Sequence, residues 1–397
     1  MTATLRRTLI TSGALAMFGA SSAGAQLTIR LTGVPAGTAG DIYVAGSFNN
    51  WNPGDTAYRL ARGDGEHVIT LPESVRGAVE FKFTRGSWET VELDSTGEGV
   101  QNRSVIIPES GAITYTAAVD GWQDPAKVAR RASTARRTVS VLDTAFPMPQ
   151  LGRTRKVWIY LPPDYATSGR AYPVLYMHDG QNVFDDSTSY AGEWGVDEAL
   201  DSLHAAGDPG AIVVAVDNGQ QLRMNEYSPW RHPRHGGGEG DAYADWMALT
   251  LKPWIDRHYR TRPGPESTGM MGSSMGGLIS LHAALRHPGV FGRVGVFSPS
   301  LWFSDSVYVA ARGARSIEPR PRFYFLSGGL EGPADQPRIV VADQQRMVDT
   351  LAAAGWRVGT EIHAATPDDG RHSEWFWRRE FPAAYRWLFA DADDPCR

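Results

Sequence analysis

The chain has 397 residues, of which 42% are apolar, 21% charged and 10% aromatic, enough for two domains or for one large domain with an appendage. A small stapled scaffold and a globally disordered chain are both excluded. The 39 Lys and Arg against 44 Asp and Glu give a formal net charge of −5, so no chain-wide basic field exists to hold a nucleic acid.

At the N-terminus, Arg6 and Arg7 precede an apolar run over 9–20, and Ala23-Gly24-Ala25 offers a small-residue cleavage site before Gln26. Residues 1–25 therefore read as an export signal, because the apolar run is short of the ~20 residues that span a bilayer. The mature protein is expected to be periplasmic or secreted, with no membrane attachment after cleavage. Its lone cysteine, Cys396, provides no internal disulfide, so stability rests on the core. From 26 to 120, short alternating strands are expected at 27–31, 42–45, 67–71, 79–83, 105–107 and 113–117, a spacing that predicts an all-β immunoglobulin-like sandwich. The stretch 121–138 turns polar and basic, with Lys127, Arg130, Arg131, Arg136 and Arg137, and reads as a linker or a helix across the boundary. From 139 to 391, strand-length apolar runs at 157–161, 174–177, 212–216, 268–271, 294–297 and 323–326 alternate with helical periods at 196–203, 243–258, 276–285 and 336–353. That alternation predicts a doubly wound, mostly parallel α/β sheet.

The most informative stretch is Gly272-Ser273-Ser274-Met275-Gly276-Gly277, a G-x-S-x-G that follows an apolar strand and opens a helical pattern. A serine hydroxyl is a weak nucleophile until a base takes its proton. A sharp strand-to-helix turn lifts the side chain to where an imidazole can reach it, and the helix N-terminus offers N–H groups to an oxyanion. Ser274 is thus the candidate nucleophile of an α/β-hydrolase. In that fold the chain order is serine, acid, histidine. Glu331, in the loop after the strand at 323–326, and His372, near the C-terminus, satisfy it, with Asp335 the alternative acid. The second oxyanion donor belongs in the loop after an early strand, where the Gln181 amide follows Gly180; the Met275 amide follows the serine. His178, Asp179 and the His232/His235 pair lack the spacing of a metal set, and neither metal nor redox cofactor nor nucleotide is expected.

These residues together resemble the esterase D-like "putative esterase" family of α/β-hydrolases, which includes feruloyl and siderophore esterases, over roughly 139–390. The resemblance rests on His178-Asp179-Gly180-Gln181-Asn182, Asp217-Asn218-Gly219 with Arg223 and Glu226-Tyr227, Gly272 to Gly277, Ser298-Pro299-Ser300-Leu301-Trp302, and His372 with Trp375. It implies Ser274 as nucleophile, His372 as base, and the Gln181 and Met275 amides as the oxyanion hole. At the acid position, commonly aspartate in the family, this chain has Glu331. Trp194, Arg223 and Trp302 are candidates to line the substrate pocket, with core packing for the tryptophans and an ion pair for Arg223 as the alternatives.

In the first region, Gly46-Ser47-Phe48-Asn49-Asn50-Trp51 and Phe81-Lys82-Phe83-Thr84-Arg85-Gly86-Ser87-Trp88 are similar to starch-binding modules. The resemblance implies that Trp51 and Trp88 stack a glucan while Lys82 and Asn102 hydrogen-bond it; the segment between Glu89 and Asn102 is longer than the pattern. Sandwich modules also serve as purely structural partners of hydrolase domains. The reading that emerges is an exported serine esterase that deacylates saccharide esters, acetyl or feruloyl. Siderophore-type or other small-ester hydrolysis, and a non-catalytic glycan-binding protein, are the alternatives.

Overall fold

In the computed structural model the described residues are 26–389, except 50, 64, 98, 101, 109, 129–131 and 334–335. The expected export signal, the alternative acid Asp335 and Cys396 lie outside them.

The N-terminal region is β-rich. Strands β1 (Gln26–Gly33), β2 (Tyr43–Gly46), β3 (His67–Thr70), β4 (Gly77–Thr84), β5 (Arg103–Ile107) and β6 (Ala112–Ala118) coincide with the alternating runs in the sequence. One sheet places β1 between β3 and β6 with Ala61–Arg62 beyond β3, and another places β4 between β2 and β5. Leu27, Ile29 and Leu31 from β1 and Val79, Phe81 and Phe83 from β4 share one buried cluster. Because side chains alternate across a strand, Glu80 and Lys82 stand on the opposite face of β4.

The stretch expected as a linker holds a short helix, α1 (Pro125–Val128), and then runs along the α/β region. Ser133 Oγ and the Thr134 amide donate to Asp185 at 2.7 and 3.2 Å, Thr134 Oγ1 donates to Glu193 at 2.7 Å, and the Arg136 amide donates to Asp197 at 2.8 Å.

The α/β region is built on β7 (Val139–Met148), β8 (Arg153–Tyr160), β9 (Val174–His178), β10 (Ile212–Val216), β11 (Thr268–Ser273), β12 (Arg293–Phe297), β13 (Arg322–Leu326) and β14 (Ile362–Ala365). Their order is β7-β8-β10-β9-β11-β12-β13-β14. From β10 to β14 every pair is parallel, whereas β7 and β8 run antiparallel at one edge. The continuous apolar runs arise because both faces are covered: Val157, Ile159, Tyr176 and Val214 enter one apolar layer, and their neighbours Trp158, Tyr160, Leu175 and Val213 enter the other.

The crossover helices include α2 (Val196–Ala205), α3 (Gly240–Trp246), α4 (Lys252–His258), α5 (Met275–Arg286), α6 (Ile339–Ala353) and α7 (Glu374–Phe389). The helix expected over 243–258 is divided by a π-helical turn, Met247–Leu251, just before Pro253, which has no N–H to continue a regular ladder. Strand β7 and helix α7 were not anticipated from the sequence.

Candidate active site

The loops after β9, β12 and β13 converge with the β11–α5 turn at the C-terminal edge of the parallel strands, where open α/β sheets place their ligand crevices. Ser274 stands on that turn with φ 58° and ψ −122°, a backbone region that side-chain-bearing residues seldom occupy. Its neighbours are glycines for a steric reason. A Cβ on Gly272 would come within 2.9 Å of the Gly276 carbonyl carbon, and one on Gly277 within 2.9 Å of the Phe297 oxygen. The Ser274 amide donates to Phe297 O at 2.9 Å, which ties the turn to β12.

His372 lies two residues before α7, and its Nδ1 meets Glu331 Oε2 at 2.9 Å. The Glu331 side chain is fully buried and also accepts from Ser298 Oγ at 2.7 Å and from the Gly328 amide. Trp377 Nε1 donates to the same Ser298 hydroxyl at 2.9 Å, and the Trp377 ring meets the His372 ring edge-on with centroids 5.2 Å apart. With Nδ1–H given to the carboxylate, Nε2 is left as the proton acceptor. Burial opposes charge on His372, but the Glu331 hydrogen bond and charge outweigh it, aided by Glu80 and Glu374, and its pKa is raised above the ordinary imidazole value. Ser274 Oγ meets Ser300 Oγ at 3.2 Å; among the described residues no hydrogen bond joins it to His372. Such bonds are commonly long or unformed before substrate arrives.

The loop after β9 is held tightly. Asp179 takes a left-handed conformation, φ 56° and ψ 47°, and leads into the 3-10 turn Gly180–Asn182. Gly180 is pressed against β10, since a Cβ there would lie 2.8 Å from the Val216 carbonyl carbon. Gln181, in that turn, and Met275, the first residue of α5, are both at helical starts, where an N–H has no intrahelical acceptor and is free for an oxyanion. Arg223 grips the Asp179 carboxylate with Nε at 2.7 Å and Nη2 at 2.9 Å, and Asn218 Nδ2 adds a third bond at 2.7 Å. Despite its burial, this carboxylate is held below its ordinary pKa, chiefly by the Arg223 charge. Arg223, a pocket candidate with an ion pair as the alternative, is thus engaged in an ion pair with Asp179 of the loop after β9.

Trp194, the second pocket candidate, is a core residue instead: it is buried between Phe297, stacked at 5.3 Å, and Trp377 at 5.6 Å. Trp302 is 52% exposed and stands beside His235, with ring centroids 5.4 Å apart. His232 and His235 pack on each other with centroids 4.3 Å apart, and burial lowers the pKa of both. Among the described residues no group of three or more His, Cys, Asp or Glu has metal-binding geometry.

The N-terminal residues expected to bind a glucan do not form one flat platform. Trp51 and Trp88 lie 6.2 Å apart at 37°, and Trp88 sets its ring edge-on to Tyr190 of the α/β region at 5.8 Å. Asn102 donates to Glu80 at 3.1 Å, and Lys82 is half-buried within the fields of Glu92, Glu374 and Glu80. Sequence reasoning missed Ser298, Trp377 and Glu374 as members of the site. Ser298 opens the Ser298-Pro299-Ser300-Leu301-Trp302 run, and Glu374 sits two residues after the candidate base, but neither spacing reveals a partner in space.

Residues 149–388 match the family model described as "Putative esterase". Among curated relatives, 273 residues, 65% of this chain and 56% of the relative, are 27% identical to the iron(III) enterobactin esterase of Dickeya dadantii. A stretch of 102 residues, 25% of this chain and 8% of the relative, is 46% identical to an alpha-amylase of Niallia circulans. The fold is similar to that of an enterobactin esterase from Shigella flexneri crystallised in the presence of enterobactin, with a TM-score of 0.54 at 16% identity, covering 92% of this chain and 93% of that one.

Proposed function

The chain belongs to the "Putative esterase" family and is a carboxylic ester hydrolase, and from that premise we propose that it works through a covalent acyl-enzyme on Ser274. His372 Nε2 takes the Ser274 proton as Oγ bonds to the ester carbonyl carbon. The Gln181 and Met275 amides stabilise the oxyanion; the C–O bond to the alcohol then breaks, and the imidazolium returns its proton to the departing oxygen. Water repeats the sequence, entering as the nucleophile, releasing the acid and restoring Ser274. Glu331 fixes the imidazole tautomer and steadies its charge. The observation that carries this reading is the buried Glu331 carboxylate bonded at 2.9 Å to His372 Nδ1, at the same sheet edge as the strained Ser274 turn.

The favoured substrates are acetyl or feruloyl esters of saccharides, and the β-rich module at 26–120 is the contributor on the sugar side. The stretch 46% identical to an alpha-amylase supports the saccharide assignment. The relation to an iron(III) enterobactin esterase favours siderophore-type esters as the second reading. A periplasmic or secreted location follows from the export signal read in residues 1–25, and no helix among the described residues is long and apolar enough to cross a membrane.

The test is a panel of p-nitrophenyl acetate and butyrate, methyl ferulate and a catecholate triester, given to the wild type and Ser274→Ala in parallel. Turnover by the wild type alone supports the assignment, and the preferred acyl group separates the two substrate classes. A folded wild type that hydrolyses none of them refutes it.

A further inference from the structure

The β-rich region touches the α/β region beside the catalytic histidine. Trp88, which follows β4, packs on Tyr190. The Tyr190 amide donates to Asn182 Oδ1 at 3.1 Å, and Asn182 Nδ2 reaches Glu374 Oε1 at 3.5 Å. Glu374 follows His372 by two residues and is the first residue of α7. Glu80 and Lys82, on the outward face of β4, are within electrostatic reach of this place: Glu80 helps raise the pKa of His372, and Lys82 and Glu374 act on each other. Farther from the site, Arg234 of the α/β region donates to the Arg76 carbonyl, so the contact extends along the base of β4.

The polar groups on the two sides differ in what they have left to offer. Glu92 is held by Arg103 at 2.7 Å, and Glu80 accepts from Asn102. Lys82, half-buried, has neither a hydrogen bond nor an ion pair closer than 4.0 Å to any described residue, and burial lowers its pKa from the ordinary lysine value. Burial, more than any other cause, lifts Glu374 to a pKa of about 7, so near neutrality it both donates and accepts. Together the wall presents an ammonium, a carboxyl of raised pKa and the rings of Trp88 and Tyr190. The carboxyls of Glu80, Glu92 and Glu374 disfavour a strongly anionic guest, and the density of polar groups disfavours an alkyl one. A polyhydroxylated, uncharged ring satisfies both the polar groups and the aromatic rings.

We propose that the β4 face bearing Glu80 and Lys82 is the alcohol-side wall of the esterase cleft, and that Lys82 and Glu374 hold hydroxyl groups of a saccharide leaving alcohol. The sugar is then the reacting half of the substrate and not a distant anchor for the enzyme. The assignment rests on the esterase reading above and names the residues that set its alcohol specificity.

The experiment uses the full chain and the acyl group turned over fastest in the panel, esterified once to methanol and once to O6 of methyl glucopyranoside. The readout is the ratio of kcat/KM for the pyranoside to that for the methyl ester. In the wild type this ratio exceeds one; Lys82→Met lowers it about tenfold through KM, the size of a lost charge-assisted hydrogen bond, and Lys82→Arg recovers most of it. A wild-type ratio at or below one, or the same ratio in Lys82→Met, overturns the proposal while leaving the esterase reading intact. Absence of Ser274-dependent turnover of any ester overturns both.

Discussion

Replacing Glu331 with glutamine keeps the shape of the side chain and removes its charge. Three donors converge on the wild-type carboxylate: His372 Nδ1–H, Ser298 Oγ–H and the Gly328 amide. Glutamine has a single acceptor oxygen. If that oxygen serves Gly328 and Ser298, the amide NH2 faces His372 Nδ1 and forces the Nε2–H tautomer, which has no lone pair for the Ser274 proton. If it serves His372, the NH2 meets the Gly328 N–H in a fully buried site. The first arrangement is the cheaper, and by analogy with triads whose acid is amidated it lowers kcat by roughly 10³ to 10⁴, about 4 to 5.5 kcal/mol of transition-state stabilisation.

The pH profile carries a second signature. Since Glu331 helps raise the His372 pKa, the acidic limb of kcat/KM lies above the ordinary imidazole value in the wild type and moves to lower pH in the variant. A raised folded-state pKa stabilises the protein fully below the unfolded value and loses that contribution as pH rises through the folded value. The variant therefore loses more stability at pH ~5.5 than at pH ~9, with a maximum near 1.5 to 3 kcal/mol for a charged hydrogen bond. Stopped assays on p-nitrophenyl acetate from pH 5 to 9, with urea melts at both ends, test all three effects. A variant within threefold of the wild type, with an unmoved acidic limb, would refute the role of Glu331, and loss in Asp335→Asn instead would transfer it.

Ser274→Gly should abolish turnover yet raise stability by roughly 1 kcal/mol in urea denaturation, because glycine accepts φ 58° without the strain that serine bears. Gly180→Ala forces a methyl against the Val216 and Asp217 backbone and displaces the Gln181 amide; kcat should fall about 10²-fold, with KM changing far less, in steady-state assays on one ester. Arg223→Met leaves the Asp179 carboxylate buried without its bidentate partner, and calorimetry should show a loss of about 3 kcal/mol, with a smaller loss for Arg223→Lys.

The parts of the molecule legible in the sequence are those whose cause is local. The Ser274 turn reads directly because a strand, a glycine-flanked serine and a helix follow one another within about a dozen residues, and the buried parallel strands read as unbroken apolar runs. Strand β7 escaped because it is an edge strand whose exposed Ser140 and other polar residues break the run, and α7 because Pro382 interrupts an otherwise helical pattern. Chain order alone leaves two residues for the acid, and the burial of Glu331 beside Ser298 and Gly328, with its bond to His372, is a feature that no spacing encodes. Trp194 looked like a ligand ring because its partners, Phe297 and Trp377, arrive from far along the chain. Likewise nothing in the run around Lys82 announces that its charge is felt by Glu374, almost 300 residues later.

The tether ahead of β7 bears on where this protein can be divided. Composition changes at 138, but the four donors from Ser133, Thr134 and Arg136 satisfy Asp185, Glu193 and Asp197, all of them buried acids. A chain severed at 138 would lose those four bonds: Asp185 keeps the Ser187 amide and Glu193 keeps Arg378, but Asp197 loses the Arg136 amide, at a cost on the order of 1 to 3 kcal/mol. The smallest catalytic fragment that keeps its own stability therefore begins upstream of Ser133. A recombination event or a cloning boundary that grafts this hydrolase onto another partner has to carry the tether with it.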